Sequence, residues 1–522
     1  MQTSAKSAYN PVGQFTRKMA TIEDIYDHIG GLGKFQLVAI VSLYGMMAIF
    51  AYSMLLVGYT GYIGTFECIT HYEFNQSATR FYTAAPFNMA ATAPDVEDRT
   101  AVNVCSVNGT KCQDFKFLES KKTAVSEWHL VCDHLWLKAA ITSMQMFGVM
   151  LGSVAGGLCG DYFGRKKTIY GSLFLHAVLN VMAAFSVCWR MFCGMRFLIG
   201  IALGIGYIMA IPYPTEFLPM RWRHILPAVP VWQFGVMVMA AVAWWLEDWS
   251  HLHIACALLC LIFMAGCLNI PESPRWLATQ GKLDESYAVL EKIARTNKKR
   301  LPPGVKEILQ KIATKNTGHE RGRTYTYLDL FKGTKNIKLT LIFVLQWFTL
   351  AVIYYGIHFS VNSFVGNLYL NIFLMNVVQL PCCLIIAPLT DRLGRRLTSV
   401  IFMSILVIVS FACVVLHVSA TEHIRDLWIS RLCVLASFLV YCGWAVSSVW
   451  VTEIYPTVIR SLGYALAALG SRVGSALAPF LLNLVSNFPT YSKGSIEPRL
   501  SSFHSSRKLK RVATLTMKWD QN

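Results

Sequence analysis

Apolar residues in this chain fall in runs of about 20 rather than at alternate positions or on one helical stripe, and short polar segments part the runs. At a rise of about 1.5 Å per residue, a helix of that length crosses the roughly 30 Å hydrocarbon core of a bilayer. The pattern predicts six spanning helices at about 36–58, 138–158, 168–189, 191–213, 225–245 and 251–271. It predicts five more at about 338–360, 367–388, 398–418, 430–451 and 461–485. A long polar stretch separates the two sets. The expected organisation is an amino-terminal segment 1–35, a six-helix bundle 36–271 that includes a large loop 60–137, a linker 272–337, a five-helix bundle 338–485 and a polar basic tail 486–522.

Composition supports this reading. Of the 522 residues 54% are hydrophobic and only 15% charged, against about 25% charged in soluble domains, which excludes a soluble protein. The net charge of +18 is read as basic cytoplasmic loops, not as nucleic-acid binding. Arg165, Lys166 and Lys167, Arg221 and Arg223, the basic residues between Arg275 and Lys335, and Arg392, Arg395 and Arg396 all fall on one side. That side, with the amino terminus, is predicted to be cytoplasmic. Met1 to Lys34 is polar and shows no cleavable signal, so the first span is expected to target the chain. The large loop on the opposite side holds two glycosylation sequons, at Asn75 and Asn108, and four cysteines, Cys68, Cys105, Cys112 and Cys132. Together they predict an extracellular disulfide-bonded loop, and four cysteines leave three pairings open. The remaining cysteines lie mostly in spans, where packing as small apolar residues is the default. Leu283 to Ala294 in the linker is amphipathic and is read as a membrane-surface helix.

The chain repeats itself on the cytoplasmic side. GLCGDYFGRKK follows the second span, with Asp161 and Arg165, and APLTDRLGRR follows the eighth, with Asp391 and Arg395. TExxPxxxR ends the fourth span, as Thr215, Glu216, Pro219 and Arg223, and the tenth, as Thr452, Glu453, Pro456 and Arg460. Arginines also stand near the start of both spans, Arg196 and Arg431. Duplicates 230 to 237 residues apart fit two homologous halves and are too far apart for a solenoid. A carboxylate beside arginines on neighbouring helix ends can form a network that breaks in one of two states, so these residues are predicted to gate. The competing reading is that the arginines only fix topology.

One charge stands inside an apolar run. Arg472 lies near the middle of SLGYALAALGSRVGSALAPFLLNLV, the last span. A charge at that depth faces a protein interior or an aqueous cavity and marks a substrate path. The structural alternative is a buried carboxylate partner, but no other span carries Asp or Glu at depth, since Glu216 and Glu453 sit at helix ends. Gly470, Ser471, Gly474 and Ser475 form a small-residue face that another helix can approach closely.

The doubled D-x-x-G-R-[RK] turn resembles the signature of the major facilitator superfamily. SEWHLVCD at Ser126 to Asp133, PESPRWL at Pro271 to Leu277 and YPTVIR at Tyr455 to Arg460, with the large loop after the first span, look like its organic ion transporter family, whose members carry organic cations, carnitine-like zwitterions or organic anions. The resemblance implies an all-α fold of two pseudo-symmetric bundles with a cavity between them and alternating access. It also implies a twelfth helix, and the tail after the eleventh has no apolar run of that length. The segment Arg472-Val473-Gly474-Ser475 followed by Pro479 resembles the anion branch, and carnitine carriers share its arginine. Cation carriers of the family have aspartate there. Leu380-Pro381-Cys382-Cys383-Leu384 lacks the lysine of some anion carriers, which points to a monoanion or zwitterion rather than a dicarboxylate. Trp232 and Phe234, Tyr354 and Tyr355, and Tyr441, Trp444 and Trp450 lie on helices that line the cavity in the family. They are expected as its walls, with lipid-facing or interfacial aromatics as the alternative.

The expected function is transport of small organic anions across the plasma membrane by a monomer, with a counter-ion and without cofactor, metal or nucleic acid. Alternatives are a carnitine-like zwitterion or organic cation carrier and a truncated, non-transporting isoform. No nucleotide loop, zinc-ligand spacing or nucleophile elbow marks an enzyme, and His176 and His358 show no partner in sequence.

Overall fold

The computed structural model describes residues 22–69, 105–107, 110–112, 114–223, 229–317, 330–455 and 460–487. The chain divides into two compact units, Met1–Phe480 and Leu481–Asn522, and the second is described only as helix, to Asn487. Asn75, Asn108 and the tail beyond Asn487 lie outside the described residues.

Among the described residues eight stretches are long and apolar enough to cross a membrane. One of them, Leu368–Ser419, is broken at Gly394, where φ is 78° and ψ is 161°. With the break and two further helices, Arg165–Ala184 and Val231–Leu246, helices occupy all eleven predicted positions. They are α1 (Lys34–Thr60), α2 (Leu135–Phe163), α3 (Arg165–Ala184), α4 (Trp189–Ala210), α5 (Val231–Leu246) and α6 (Trp249–Met264). The second set is α7 (Thr334–Phe359), α8 (368–393), α9 (395–419), α10 (Glu422–Ile454) and α11 (Arg460–Asn487). The fifth starts later than the pattern predicts because Pro230 offers the ladder no N–H and stands at its N-cap.

Lipid is as apolar as a leucine side chain, so close packing rather than water exclusion joins these helices. A Cβ on Gly152 of α2 would stand 2.2 Å from the Ile201 carbonyl oxygen of α4, and one on Gly204 would stand 2.4 Å from that of Val149. Only glycine lets the two backbones touch. Gly474 of α11 does the same against the Phe348 carbonyl of α7, at 2.5 Å, which accounts for the small-residue face.

The repeat in the sequence is a repeat in the backbone. Gly164 between α2 and α3 has φ 103° and ψ 159°, the conformation that Gly394 takes between α8 and α9. Side-chain-bearing residues essentially do not adopt it. Four residues on, the hydroxyl of Thr168 donates to the Gly164 carbonyl at 2.8 Å, and that of Thr398 to the Gly394 carbonyl at 2.9 Å.

The large loop pairs β1 (Phe66–Ile69) with β4 (Asp114–Phe117) and β2 (Ser106–Val107) with β3 (Thr110–Lys111), antiparallel in both cases. Two disulfides, Cys68–Cys112 and Cys105–Cys132, choose among the three pairings. Glu127 of SEWHLVCD accepts from the Trp249 indole at 2.5 Å, and Trp128 packs edge-on against Trp249 and tilted against Phe192, which fixes the loop to α4 and α6.

On the opposite face Leu283–Thr296 departs from expectation. Its apolar residues Leu290 and Ile293 are fully buried in protein rather than free to lie on a membrane. Asn297 at its end donates to the Ile29 carbonyl and accepts from the Phe35 N–H, so the helix braces the foot of α1.

Candidate functional site

Arg472 leaves α11 toward the first-half helices, and its guanidinium carbon lies 4.5 Å from the centre of the Tyr207 ring of α4. Among the described residues no carboxylate forms an ion pair with it. The Tyr355 and Tyr464 phenols lie within its electrostatic reach. The ring of Tyr207 meets Trp232 edge-on at 6.0 Å, and the Trp232 indole donates to the Tyr354 hydroxyl at 3.0 Å. Tyr354 in turn contacts Tyr355 at 5.3 Å, Trp444 at 6.2 Å and the imidazole of His358 at 4.1 Å. Trp444 continues to Trp347, which meets Tyr464. Aromatic rings from α4, α5, α7, α10 and α11 thus form one connected cluster, and Arg472 meets it at Tyr207.

Of the residues singled out in sequence, Trp232, Tyr354, Tyr355, Trp444 and Arg472 come together here. Tyr441 stands beside Gln233 of α5 and Cys383 of α8 at the edge of the cluster. Phe234 does not join it. Two residues along a helix turn the side chain by about 200°, so Phe234 is 48% exposed on the far side of α5 from Trp232. Trp450 packs on Phe343, below the cluster. Tyr207 and Tyr464 escaped the sequence reading, yet the repeat contained a signal. Thr215 and Glu216 recur as Thr452 and Glu453, and the same offset of 237 carries Tyr207 onto Trp444.

Contacts between the two sets of helices gather at this level and toward the disulfide-bearing face. The Gln233 amide donates to Gln379 at 3.2 Å, Tyr355 reaches the Met54 sulfur at 3.6 Å, and Asn362 donates to the Gly61 carbonyl at 3.2 Å. Tyr59 stacks on Tyr369 at 6.0 Å. Lys121 of the disulfide-bonded loop lies over the rings of both Tyr62 and Tyr369, at 5.1 and 5.6 Å, and pairs with Glu119 at 3.1 Å. Burial alone would raise the pKa of Glu119, but Lys121, the Thr65 N–H and Tyr62 hold it below the usual value.

At the other face the charges singled out in sequence form two matching clusters. Arg165 pairs with Asp161 at 2.6 Å and with Glu216 at 3.3 Å. Arg395 pairs with Asp391 at 3.9 Å and with Glu453 at 2.9 Å. In the first half the network extends to residues not singled out. Glu23 pairs with Arg223 at 3.3 Å and with Arg275, which belongs to PESPRWL. Glu272 of the same motif accepts from the Arg165 and Lys166 N–H groups at 3.0 and 3.1 Å, capping the positive end of α3. The Arg460 side chain lies outside the described residues.

The family described as sugar (and other) transporter matches residues 46–492. Over 484 residues the chain is 28% identical to solute carrier family 22 member 7 of Rattus norvegicus, covering 88% of this chain and 89% of that one. It is 29% identical over 370 residues to organic cation/carnitine transporter 2 of Homo sapiens, covering 69% of this chain and 64% of that protein's length. In fold it is similar to the inward open conformation of the xylose transporter XylE from E. coli, with a TM-score of 0.55 and 18% identity over 88% of this chain and 90% of that one.

Proposed function

Since this chain is a membrane transporter belonging to the sugar (and other) transporter family, and not an enzyme, we propose that it carries small organic anions by alternating access, with Arg472 meeting the cargo. The observation that carries the reading is the guanidinium at mid-helix with a ring in front of it and no carboxylate paired to it among the described residues. A cation–π contact offsets part of the desolvation of such a charge, about 1–2 kcal/mol, and uses none of its five N–H donors. A planar carboxylate or sulfonate offers those donors two acceptors in a matching fork. The surrounding Trp and Tyr rings suit an aryl or alkyl body on the same cargo.

The ion-pair clusters at Arg165 and Arg395 are assigned to the gate, closing and opening as the halves rock. The face that carries them, with the amino terminus, is assigned to the cytoplasm, and the disulfide-bearing face to the cell exterior. A second reading has support of its own, because aromatic rings also bind quaternary ammonium groups. A carnitine-like zwitterion would set its carboxylate on Arg472 and its ammonium on Tyr354 or Trp444, and the name of the human relative includes carnitine.

Uptake in cells expressing the chain, measured with a labelled aryl carboxylate, carnitine and tetraethylammonium, tests both readings. Arg472→Asp is expected to abolish aryl carboxylate uptake while surface expression persists, and Arg472→Lys to retain part of it. Aryl carboxylate uptake that survives Arg472→Asp unchanged refutes the role of the residue. Wild-type uptake of carnitine without the aryl carboxylate selects the second reading.

A further inference from the structure

We propose that His176, Cys256 and Cys260 form a binding site for copper(I) inside the first set of helices, away from the aromatic cluster around Arg472. His176 lies on α3 and the two cysteines lie one turn apart on α6, so all three face the seam between those helices. All are buried, and their ligand atoms lie within 4.8 Å of one another. The Cys256 sulfur stands 3.8 Å from His176 Nε2. A metal with ordinary bond lengths of about 2.3 Å to sulfur and 2.0 Å to nitrogen, in a trigonal arrangement, holds those atoms about 3.7–3.8 Å apart. The spacing is already that of a coordinated pair.

The identity of the metal follows from softness and charge. Two thiolates and an imidazole, with no oxygen donor among the three, select a soft ion. Beside them Arg196 of α4 is wholly buried, its three guanidinium nitrogens lack a hydrogen-bond partner among the described residues, and it lies within electrostatic reach of Cys256. The helices α3, α4 and α6 contain no Asp or Glu. His253, also nearby, is held by Asn180 at 2.8 Å and brings no negative charge. A buried cation without a counter-charge is costly. Copper(I) bound by two thiolates and a neutral imidazole carries one net negative charge, which Arg196 balances. Zinc in the same ligands is neutral and leaves Arg196 uncompensated. Binding needs no electron transfer: the ion enters as copper(I), and two thiol protons leave to solvent.

The test uses the full chain, purified in detergent without oxygen and titrated with copper(I) against a colorimetric copper(I) chelator. The X-ray absorption of the bound metal is then recorded. Two further thiol pairs, Cys382 with Cys442, whose sulfurs stand 3.2 Å apart, and Cys413 with Cys433, are replaced by serine so that they do not compete. In that background one copper per chain is expected, with two sulfur neighbours and one nitrogen. Affinity is expected to fall at least tenfold in Cys256→Ser/Cys260→Ser and in His176→Gln. If those variants fail to fold, the spectrum of the background protein alone decides. Absence of chelator-resistant copper, a spectrum without two sulfurs, or displacement of copper by equimolar zinc overturns the proposal and leaves the three residues as packing.

Discussion

Arg472 and Tyr207 meet across the two sets of helices, one from α11 and the other from α4, at 4.5 Å. The ring does two things that can be separated: its face attracts the guanidinium, and its hydroxyl is polar. If the face aims Arg472 at the cargo, Tyr207→Phe should leave the KM for an anionic substrate near the wild-type value. Tyr207→Leu removes a contact of about 0.5–2 kcal/mol and should raise KM roughly 2- to 30-fold, with little change in surface expression. Equal effects of the two variants in an uptake assay would show that the hydroxyl matters and the ring face does not. The sequence made half of this pair legible. A lone charge in an apolar run is visible without a structure, because its cost there is high whatever surrounds it. An aromatic residue in an apolar run is no such signal, since lipid and core accept it equally. Trp232 and Phe234 looked alike in sequence and differ only by the turn of the helix between them.

At the scale of the element, the turns between α2 and α3 and between α8 and α9 share one backbone conformation but not one environment. A Cβ on Gly164 would lie 2.4 Å from a Glu272 oxygen, whereas a Cβ on Gly394 would meet nothing within 4 Å among the described residues. Gly394→Ala should therefore cost only the backbone strain, about 1–3 kcal/mol. Gly164→Ala adds displacement of the carboxylate that caps α3 and should be the more destabilising of the two, which thermal unfolding in detergent measures. A smaller loss for Gly164→Ala would show that Glu272 is free to move. Glu23 makes a second prediction in the same region. Burial alone would raise its pKa, but Arg275 and Arg223 outweigh that and hold it below the usual carboxylate value. A depressed pKa stabilises the fold above the ordinary carboxylate range and loses that stabilisation as pH falls through the range. Glu23→Gln should therefore melt below the wild type at neutral pH, by the equivalent of about 1–2 kcal/mol, and the gap should close on acidification. The doubled motif displayed Asp161, Arg165, Asp391 and Arg395 in the sequence. It did not display Glu23 or Glu272, whose partners lie about 250 and 107 residues away and are set by tertiary packing alone.

For the whole molecule, the number and order of the helices were legible because a membrane demands long apolar runs and punishes exceptions. The state of the proposed gate was not, since both states of a transporter that rocks satisfy the same pattern. In the structure the two sets of helices meet near the disulfide-bearing face, through Tyr59 on Tyr369 and Asn362 on the Gly61 carbonyl. Lys121 adds a tie from outside the helices. It is carried by the disulfide-bonded loop, anchored by Glu119 and laid over Tyr62 of its own half and Tyr369 of the other. If the halves rock as proposed, the loop acts on the equilibrium between the two states, because its contact with Tyr369 breaks when this face opens. Lys121→Ala removes one cation–π contact of about 0.5–1 kcal/mol, enough to shift that equilibrium roughly two- to fivefold toward opening. Met375 borders a small cavity just behind the closure, with His358 and Val236. A cysteine placed there should react two- to fivefold faster with a membrane-impermeant thiol reagent when Lys121 is alanine, and the gain should disappear when the cargo site is held facing the other side. Unchanged labelling would mean that Tyr59, Tyr369 and Asn362 keep the face closed without help from the loop.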